Sequence, residues 1–531
     1  MKGTLSLLLM AFVILALPNS VFTQVHEDWI RRYNGSANNN DWAKKITVID
    51  QGKVCVMGST YEANGADDYR IIVYNAEGDT VQNSHWNQGH IDTPYDTYVS
   101  NDGYIYITGS AYASWPTYNT VFNLKYNLVK NSLCWANTIS STSVGRAITA
   151  DQAGNVYITG TWSSPSKALI IKYDSTGWIV WERSLNESTH YSSYGKDIEV
   201  DHAGNVYCLV DAHDVNGVAD YAVVKYNSDG DTLWIACYDN DGQPDEPIGF
   251  ALDGAGNVYV TGTSGRDYAT VKYDRDGNRQ WAAIYDGPNN LTEQASAIMI
   301  DDSSNVYVTG TSGGDYATVK YDRDGHEQWV SRYGGPGNNH AAMASAFTLD
   351  SKGSIYVTGE GPTATGLKIG TVNYDRNGKT IWDISSSGNE MPSHAASIAV
   401  DTSGNVYVTG SVDDITGLWS DWITIKYHQS STDVNNAAYF GRQPSSYSLD
   451  QNYPNPFNPT TWIDFQIPHR SQVSVTIFDV LGREVARLIS EQLPAGAYST
   501  KWNAAGRTSG VYYYQLKTDN FVQTKKLILL K

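Results

Sequence analysis

The chain has 531 residues and a net charge of −19, from 37 Lys plus Arg against 56 Asp plus Glu. That balance opposes a phosphate backbone or an anionic lipid surface, which excludes nucleic acid as the expected partner. With 38 Tyr and 16 Trp but only 6 Met, the composition suits strands better than helices.

Met1 and Lys2, followed by "LSLLLMAFVILAL", give a positive start and a short apolar run. Residues 1–23 are therefore read as a secretory signal peptide. The run is shorter than the roughly 18 to 20 apolar residues of a membrane span. No other stretch is apolar enough, so no integral membrane segment is expected after its removal.

From Lys53 to Gly410 a pattern of about 50 residues is written eight times, most clearly as "DGAGNVYVTGTSGRDYATVKYDRDGNRQW" from Asp253 to Trp281. The "NVYVTG" segment closes at Gly58, Gly109, Gly160, Val210, Gly262, Gly310, Gly359 and Gly410. A period of this length with strand-like content predicts propeller blades. In one repeat "SAIMID", "NVYVTG", "DYATVKYD" and "EQWVSRY" supply four strands with turn residues between them. Trp86, Trp135, Trp181, Trp234, Trp281, Trp329 and Trp382 are read as fourth-strand rings packed against the adjacent blade.

The array ends without a tryptophan strand after Tyr427, whereas "EDWIRRYNG" from Glu27 to Gly35 matches "EQWVSRYGG" from Glu327 to Gly335. Trp29 thus supplies the missing strand from the N-terminus, and the expected fold is all-β: an eight-bladed β-propeller over residues 25–430. Closure of that kind removes exposed sheet edges. Residues 431–445 are polar and aperiodic, as a linker is. Residues 446–531 alternate in six or seven short segments, which predicts a small immunoglobulin-like β-sandwich.

No G-x-S-x-G, H-E-x-x-H, P-loop or paired C-x-x-C motif is present, so no catalytic residue, metal site or cofactor is assigned. The "DRDG" segments at 274–277 and 322–325 suit tight turns better than calcium loops, because the downstream acidic ligand of an EF-hand is missing. Cys55, Cys134, Cys208 and Cys237 fall on different strands and blades and are expected unpaired. Second-to-third loops vary from "TSGGDY" to "SVDDITGLWSDW", and variable loops on a rigid scaffold are where binding resides. His90, His190, His340 and His394 precede the first strands of blades, near the central channel, where imidazoles bind metal or move protons. The same positions also fit four unrelated polar loop residues. With Glu293 and Trp419 they form the candidate channel and rim residues.

The segments "GNVYVTG" and "DYATVKYD" with the following tryptophan resemble SBBP β-propeller repeats over roughly residues 25 to 430. That resemblance implies a propeller on an exported bacterial protein and no common catalytic activity. The C-terminal segments "QNYPNPFNPTT", "VLGREV", "LPAGAYSTKW", "SGVYYYQL" and "KKLILLK" resemble the type A sorting domain of the type IX secretion system. The resemblance implies recognition of residues 446–531 by the secretion machinery, and a place in the medium or on the outer surface of a Gram-negative bacterium.

Two functional classes follow. One is a secreted or surface binding propeller for an extracellular glycan or protein. The other is a secreted propeller enzyme, either glycan-active or quinoprotein-like. The turn glycine four residues before a tryptophan resembles quinoprotein dehydrogenases, whose motif has one more residue between Asp and Gly.

Overall fold

Two kinds of Asx turn cut each repeat into strands. Asp253 Oδ1 accepts the backbone N–H of Ala255 and of Asn257, each at 2.9 Å, and Gly256 takes a φ of +81°. Asp274 Oδ1 does the same for Asp276 and Asn278, with Gly277 at +87°. These carboxylates close turns, as the sequence predicts for "DRDG", because a short acidic side chain reaches its own backbone two residues on.

The computed structural model describes residues 22–530 other than 51, 64, 88–90, 113–118, 140–142, 164–165, 186–191, 336–340, 364–365, 388–390, 415, 433–446, 450–451, 453–454, 456, 458 and 494–495. The expected signal peptide and most of the expected linker lie outside the described residues. The rest divides into two compact units, one over Thr23–Gln429 and one from Ser430 onward. No described helix is long and apolar enough to cross a membrane.

The first unit holds eight four-stranded antiparallel sheets, numbered here in chain order. Sheet five is typical, with Asp245–Leu252, Val258–Ser264, Asp267–Tyr273 and Arg279–Tyr285 side by side. Sheet eight takes Ser393–Val400, Val406–Asp413 and Ser420–Thr432 from the end of the array and Phe22–Tyr33 from its start. The first strands of successive sheets touch at every seam, and that of sheet eight returns to that of sheet one. First strands are therefore innermost in a β-propeller arrangement.

Middle strands are buried on both faces, as in Val258, Tyr259 and Val260, which are all fully buried. That is why both sides of "NVYVTG" carry large β-forming side chains. Tyr207 and Leu209 of sheet four pack with Val258 and Val260 of sheet five. The closing seam is built the same way, with Trp29, Tyr407 and Trp422 against Val54, Val56 and Ile72.

A shared carbonyl fastens every tryptophan clasp but that of Trp382, which donates to Gln429 Oε1 instead. Trp281 Nε1 and Lys272 Nζ of sheet five both donate to Arg323 O in the turn of sheet six, at 3.1 and 2.9 Å. Trp181 with Lys172 and Trp234 with Lys225 repeat the arrangement. Trp29 and Lys426 of sheet eight do so on Ala76 O of sheet one. The expected set of tryptophans needs one correction. Trp86 pairs with Tyr69, the place that Tyr285 holds opposite Tyr268, and Gln82 stands where the clasp tryptophan should be. Sheet one thus has no clasp tryptophan.

The second unit contains a three-stranded sheet (Ser448–Leu449, Thr460–Ile467, Gly496–Asn503) and a four-stranded one around a single apolar core. In the four-stranded sheet the last strand, Val522–Leu529, pairs with Gly510–Lys517. Its outer side is held by Phe457, whose N–H donates to Ile528 O and whose carbonyl accepts from Leu530 N, each at 2.9 Å. Asn455 Oδ1 accepts Ile528 N at 2.9 Å. The "NPFNP" and "KKLILLK" segments therefore meet. None of the four cysteines is in a disulfide, and burial pushes the thiols of Cys55 and Cys208 up to about 12.

Candidate functional site on the inner strands

Each first strand carries a bulge two residues after its first few pairs, as between Ala43 and Lys45, Gly145 and Ala147, or Gly195 and Asp197. A bulge leaves one residue unpaired and re-aims its side chain. The bulged residues of sheets one to four are Lys44, Tyr95, Arg146 and Lys196, whereas sheets five to eight offer Ile248, Ser296, Ser345 and Ala396. Charge and ring size are thus confined to half of the inner wall.

The next position on each strand forms a layer: Lys45, Asp96, Ala147, Asp197, Gly249, Ala297, Ala346 and Ser397. Lys45 Nζ donates to Asp96 Oδ1 at 2.6 Å and to Thr97 O at 2.8 Å. Asp96 Oδ2 accepts the backbone N–H of Ile148 in sheet three at 3.0 Å. Ser397 Oγ takes the N–H of Ile46 at 3.3 Å across the closing seam. The layer therefore supplies acceptors for backbone groups of the neighbouring sheet, in addition to its charge.

Burial pushes Asp197 up to about 7, and the charge of Asp96 adds to the effect. Glu199 rises to about 8 through burial and then through Asp197. Desolvation holds the Lys44 ammonium below its usual range. Asp197 thus stands within the field of Lys45, a lysine already paired to Asp96, and Glu199 stands within the field of Asp197.

Two aromatic rings open onto the same half of the wall. Trp42 and Tyr95 are 39% and 38% exposed, high for such large apolar groups. Lys44 Nζ lies 5.9 Å from the Trp42 ring and the Arg146 guanidinium 4.7 Å from the Tyr95 ring, both within cation–π range.

Of the sequence-predicted residues, His90, His190 and His340 lie outside the described residues. His394 sits inside the first strand of sheet eight and is paired through Nδ1 with Glu360 of sheet seven. That hydrogen bond raises the imidazole pKa against the opposing effect of burial. Trp419 is 38% exposed in the turn before Ser420–Thr432. Glu293 is fully buried at the seam between sheets five and six, where Ser312 Oγ donates to its Oε1 at 3.2 Å, so it belongs to no open rim. Lys45, Asp96 and Asp197 were missed, although each stands thirteen residues before the repeat's closing Gly58, Gly109 or Val210.

Comparison with known proteins bears on both units. The secretion system C-terminal sorting domain family matches residues 451–530. The outer membrane protein assembly factor BamB family matches residues 126–359, and the β-propeller repeat family SBBP matches 395–411. No curated protein matches the chain. Among solved structures, the Dos1 propeller is similar at 9% identity and a TM-score of 0.50, covering 76% of this chain and 95% of its own. The β-propeller domain of the Trilobed protease from Pyrococcus furiosus covers 65% of this chain and 96% of its own, at 13% identity and a TM-score of 0.40. PorZ, a surface component of the type IX secretion system of Porphyromonas gingivalis, covers 92% and 81%, at 11% identity and a TM-score of 0.29. Only the first of these scores supports the fold, and none speaks to activity. The sorting domain marks the chain for export to the cell surface or the medium. The chain thus carries a secretion-system C-terminal sorting domain over residues 451–530, together with a match to the SBBP β-propeller repeat at residues 395–411.

Proposed function

We propose that this exported protein is an eight-bladed propeller, over residues 25–430, that binds an extracellular glycan on its inner wall. In the same reading residues 431–445 are a linker and residues 446–531 an immunoglobulin-like sandwich that engages the secretion machinery. Eight is supported by the cycle of eight sheets whose first strands touch in turn. The sandwich is supported by two antiparallel sheets that share one core.

One observation carries the binding role: Trp42 and Tyr95, both partly exposed, stand on adjacent inner strands with Lys44 and Arg146 beside their rings. Aromatic faces flanked by polar donors suit a flat sugar ring, and the small bulged residues of sheets six to eight leave room opposite them. His394, paired with Glu360, and Trp419 are further rim contacts in this proposal. A glycan array probed with the full chain should give hits that a Trp42→Ala, Tyr95→Ala double variant loses. No hits, or equal binding by the variant, would sink the glycan reading.

A second reading is a glycan-active enzyme, favoured by Asp197 and Glu199 with pKa values of about 7 and 8. An acid that keeps its proton near neutrality is what a general acid needs. Release of reducing ends from an array hit, abolished in Asp197→Asn, distinguishes this reading from simple binding.

A further inference from the structure

Two groups of three carboxylates stand at successive seams. At the seam of sheets four and five, Asp220 is the second residue of a third strand, Asp239 follows a fourth strand, and Asp245 begins the next first strand. At the seam of sheets five and six, Asp267, Asp286 and Glu293 hold the equivalent places. In each group one oxygen from every residue lies within 4.8 Å of the others.

The buried member of each group is only half satisfied. Asp245 and Glu293 are fully buried. Asp245 Oδ2 accepts Asn240 N at 2.7 Å and Glu293 Oε1 accepts the Ser312 hydroxyl at 3.2 Å. Their second oxygens, Asp245 Oδ1 and Glu293 Oε2, are buried with no donor in good hydrogen-bond geometry; the nearest polar groups are the Ser264 hydroxyl for Asp245 and the Asp267 carboxyl for Glu293. A buried carboxylate oxygen without a well-placed donor, beside two further carboxylates, is costly unless a cation joins it.

The following seam shows how the chain meets that need with its own side chain. There the equivalent places are Asp315, Gly334 and Ala342, and Arg332 Nη2 reaches Asp315 Oδ2 at 3.1 Å. Arg332 stands opposite Ala317. The matching residues opposite Ala222 and Ala269 are Cys237 and Ile284. Arg332 Nη1 also donates to Ser312 Oγ at 2.8 Å and to Tyr285 OH at 3.1 Å, so the guanidinium borders the seam of sheets five and six without bonding the three acids there, and the fourth strands of sheets four and five offer only a thiol and an alkyl group at the matching place.

We propose that each acidic triad binds one divalent cation, which joins sheet four to five and sheet five to six. The donor set is all carboxylate oxygen, which selects a hard ion, and calcium accepts several carboxylates in irregular geometry with water completing the shell. Asp239 and Asp286 are exposed, which leaves a solvent side for that water and for ion entry.

Titration of the metal-free full chain with calcium chloride in a calorimeter tests the assignment, with the melting temperature and tyrosine-sensitised terbium luminescence as further readouts. Two ions per chain and a calcium-dependent rise in melting temperature are expected. Asp245→Asn and Glu293→Gln should each remove one ion, and Asp315→Asn none. The exposed-site variants Asp239→Asn and Asp286→Asn guard against misfolding, and each should weaken its ion by at least the roughly 10-fold that even an outer partner is worth. Absence of calcium binding, or two ions retained in both buried-site variants, overturns the proposal. The metal-free alternative is a proton shared between Asp267 and Glu293. It predicts a melting temperature indifferent to calcium and raised by Glu293→Gln, a result that equally overturns the proposal.

Discussion

Gly325 has two reasons to lack a side chain. Its φ is +86°, and a Cβ there would lie 2.6 Å from Cδ2 of Trp281 on the preceding sheet. Gly242, at φ +71° with nothing within 4 Å, has only the first reason. Left-handed backbone costs an L-residue roughly 1–2 kcal/mol. Gly242→Ala should therefore destabilise by about that amount, and Gly325→Ala by clearly more, because the indole must also leave its clasp. Chemical denaturation of the two variants measures the difference, and equal losses would contradict the clasp. His394 supplies a pH test at the same scale. Glu360 raises its folded pKa above the ordinary 6.5, so the pair's contribution is full below 6.5 and fades as pH rises through the folded value. His394→Asn should lower the melting temperature at pH 5.5 and leave it nearly unchanged at pH 9, as thermal scans across that range would show.

Some of these residues were legible before the fold was known. The Asp and Gly of each turn declare themselves, since few other residues reach their own backbone or accept a positive φ. Trp86 misled because it was matched by residue type, whereas distance from the turn glycine selects Gln82. Lys45, Asp96 and Asp197 are scattered by type and coincide only when the repeats are superposed. The pairing of Glu360 with His394 joins two sheets across 34 residues, which no single repeat displays.

Among elements, the strand Phe22–Tyr33 closes the ring from the opposite end of the array. It was readable because Trp29, Arg32 and Tyr33 repeat the register of a fourth strand. It places Trp29 in the closing core, with Nε1 on Ala76 O at 3.0 Å. Removing residues 22–33 exposes an unpaired sheet edge and strips that clasp. The truncated protein should melt at lower temperature and associate with rising concentration, as light scattering behind a sizing column would report. A monomer with unchanged melting would contradict the closure. The contact of Phe457 with the last strand was not legible, because the two segments lie 72 positions apart in chain order and neither shows a pairing preference. Phe457 is buried, and Phe457→Ala should cost the second unit roughly 3–5 kcal/mol.

At the scale of the whole molecule, period and strand content announced the propeller, and five ordered motifs announced the sorting domain. The candidate residues of the inner wall left no such trace, because they sit one per repeat and obey no motif. The central claim is that the chain is a self-contained propeller delivered outside the cell by a separable tail. Expressing full-length protein and a chain ending at residue 445 in a bacterium with a type IX secretion system, then assaying periplasm, surface and medium, tests it most directly. The account predicts that the full chain reaches the surface or medium, while the truncated chain stays folded in the periplasm. Equal export of both forms, or an unfolded truncated chain, would contradict it.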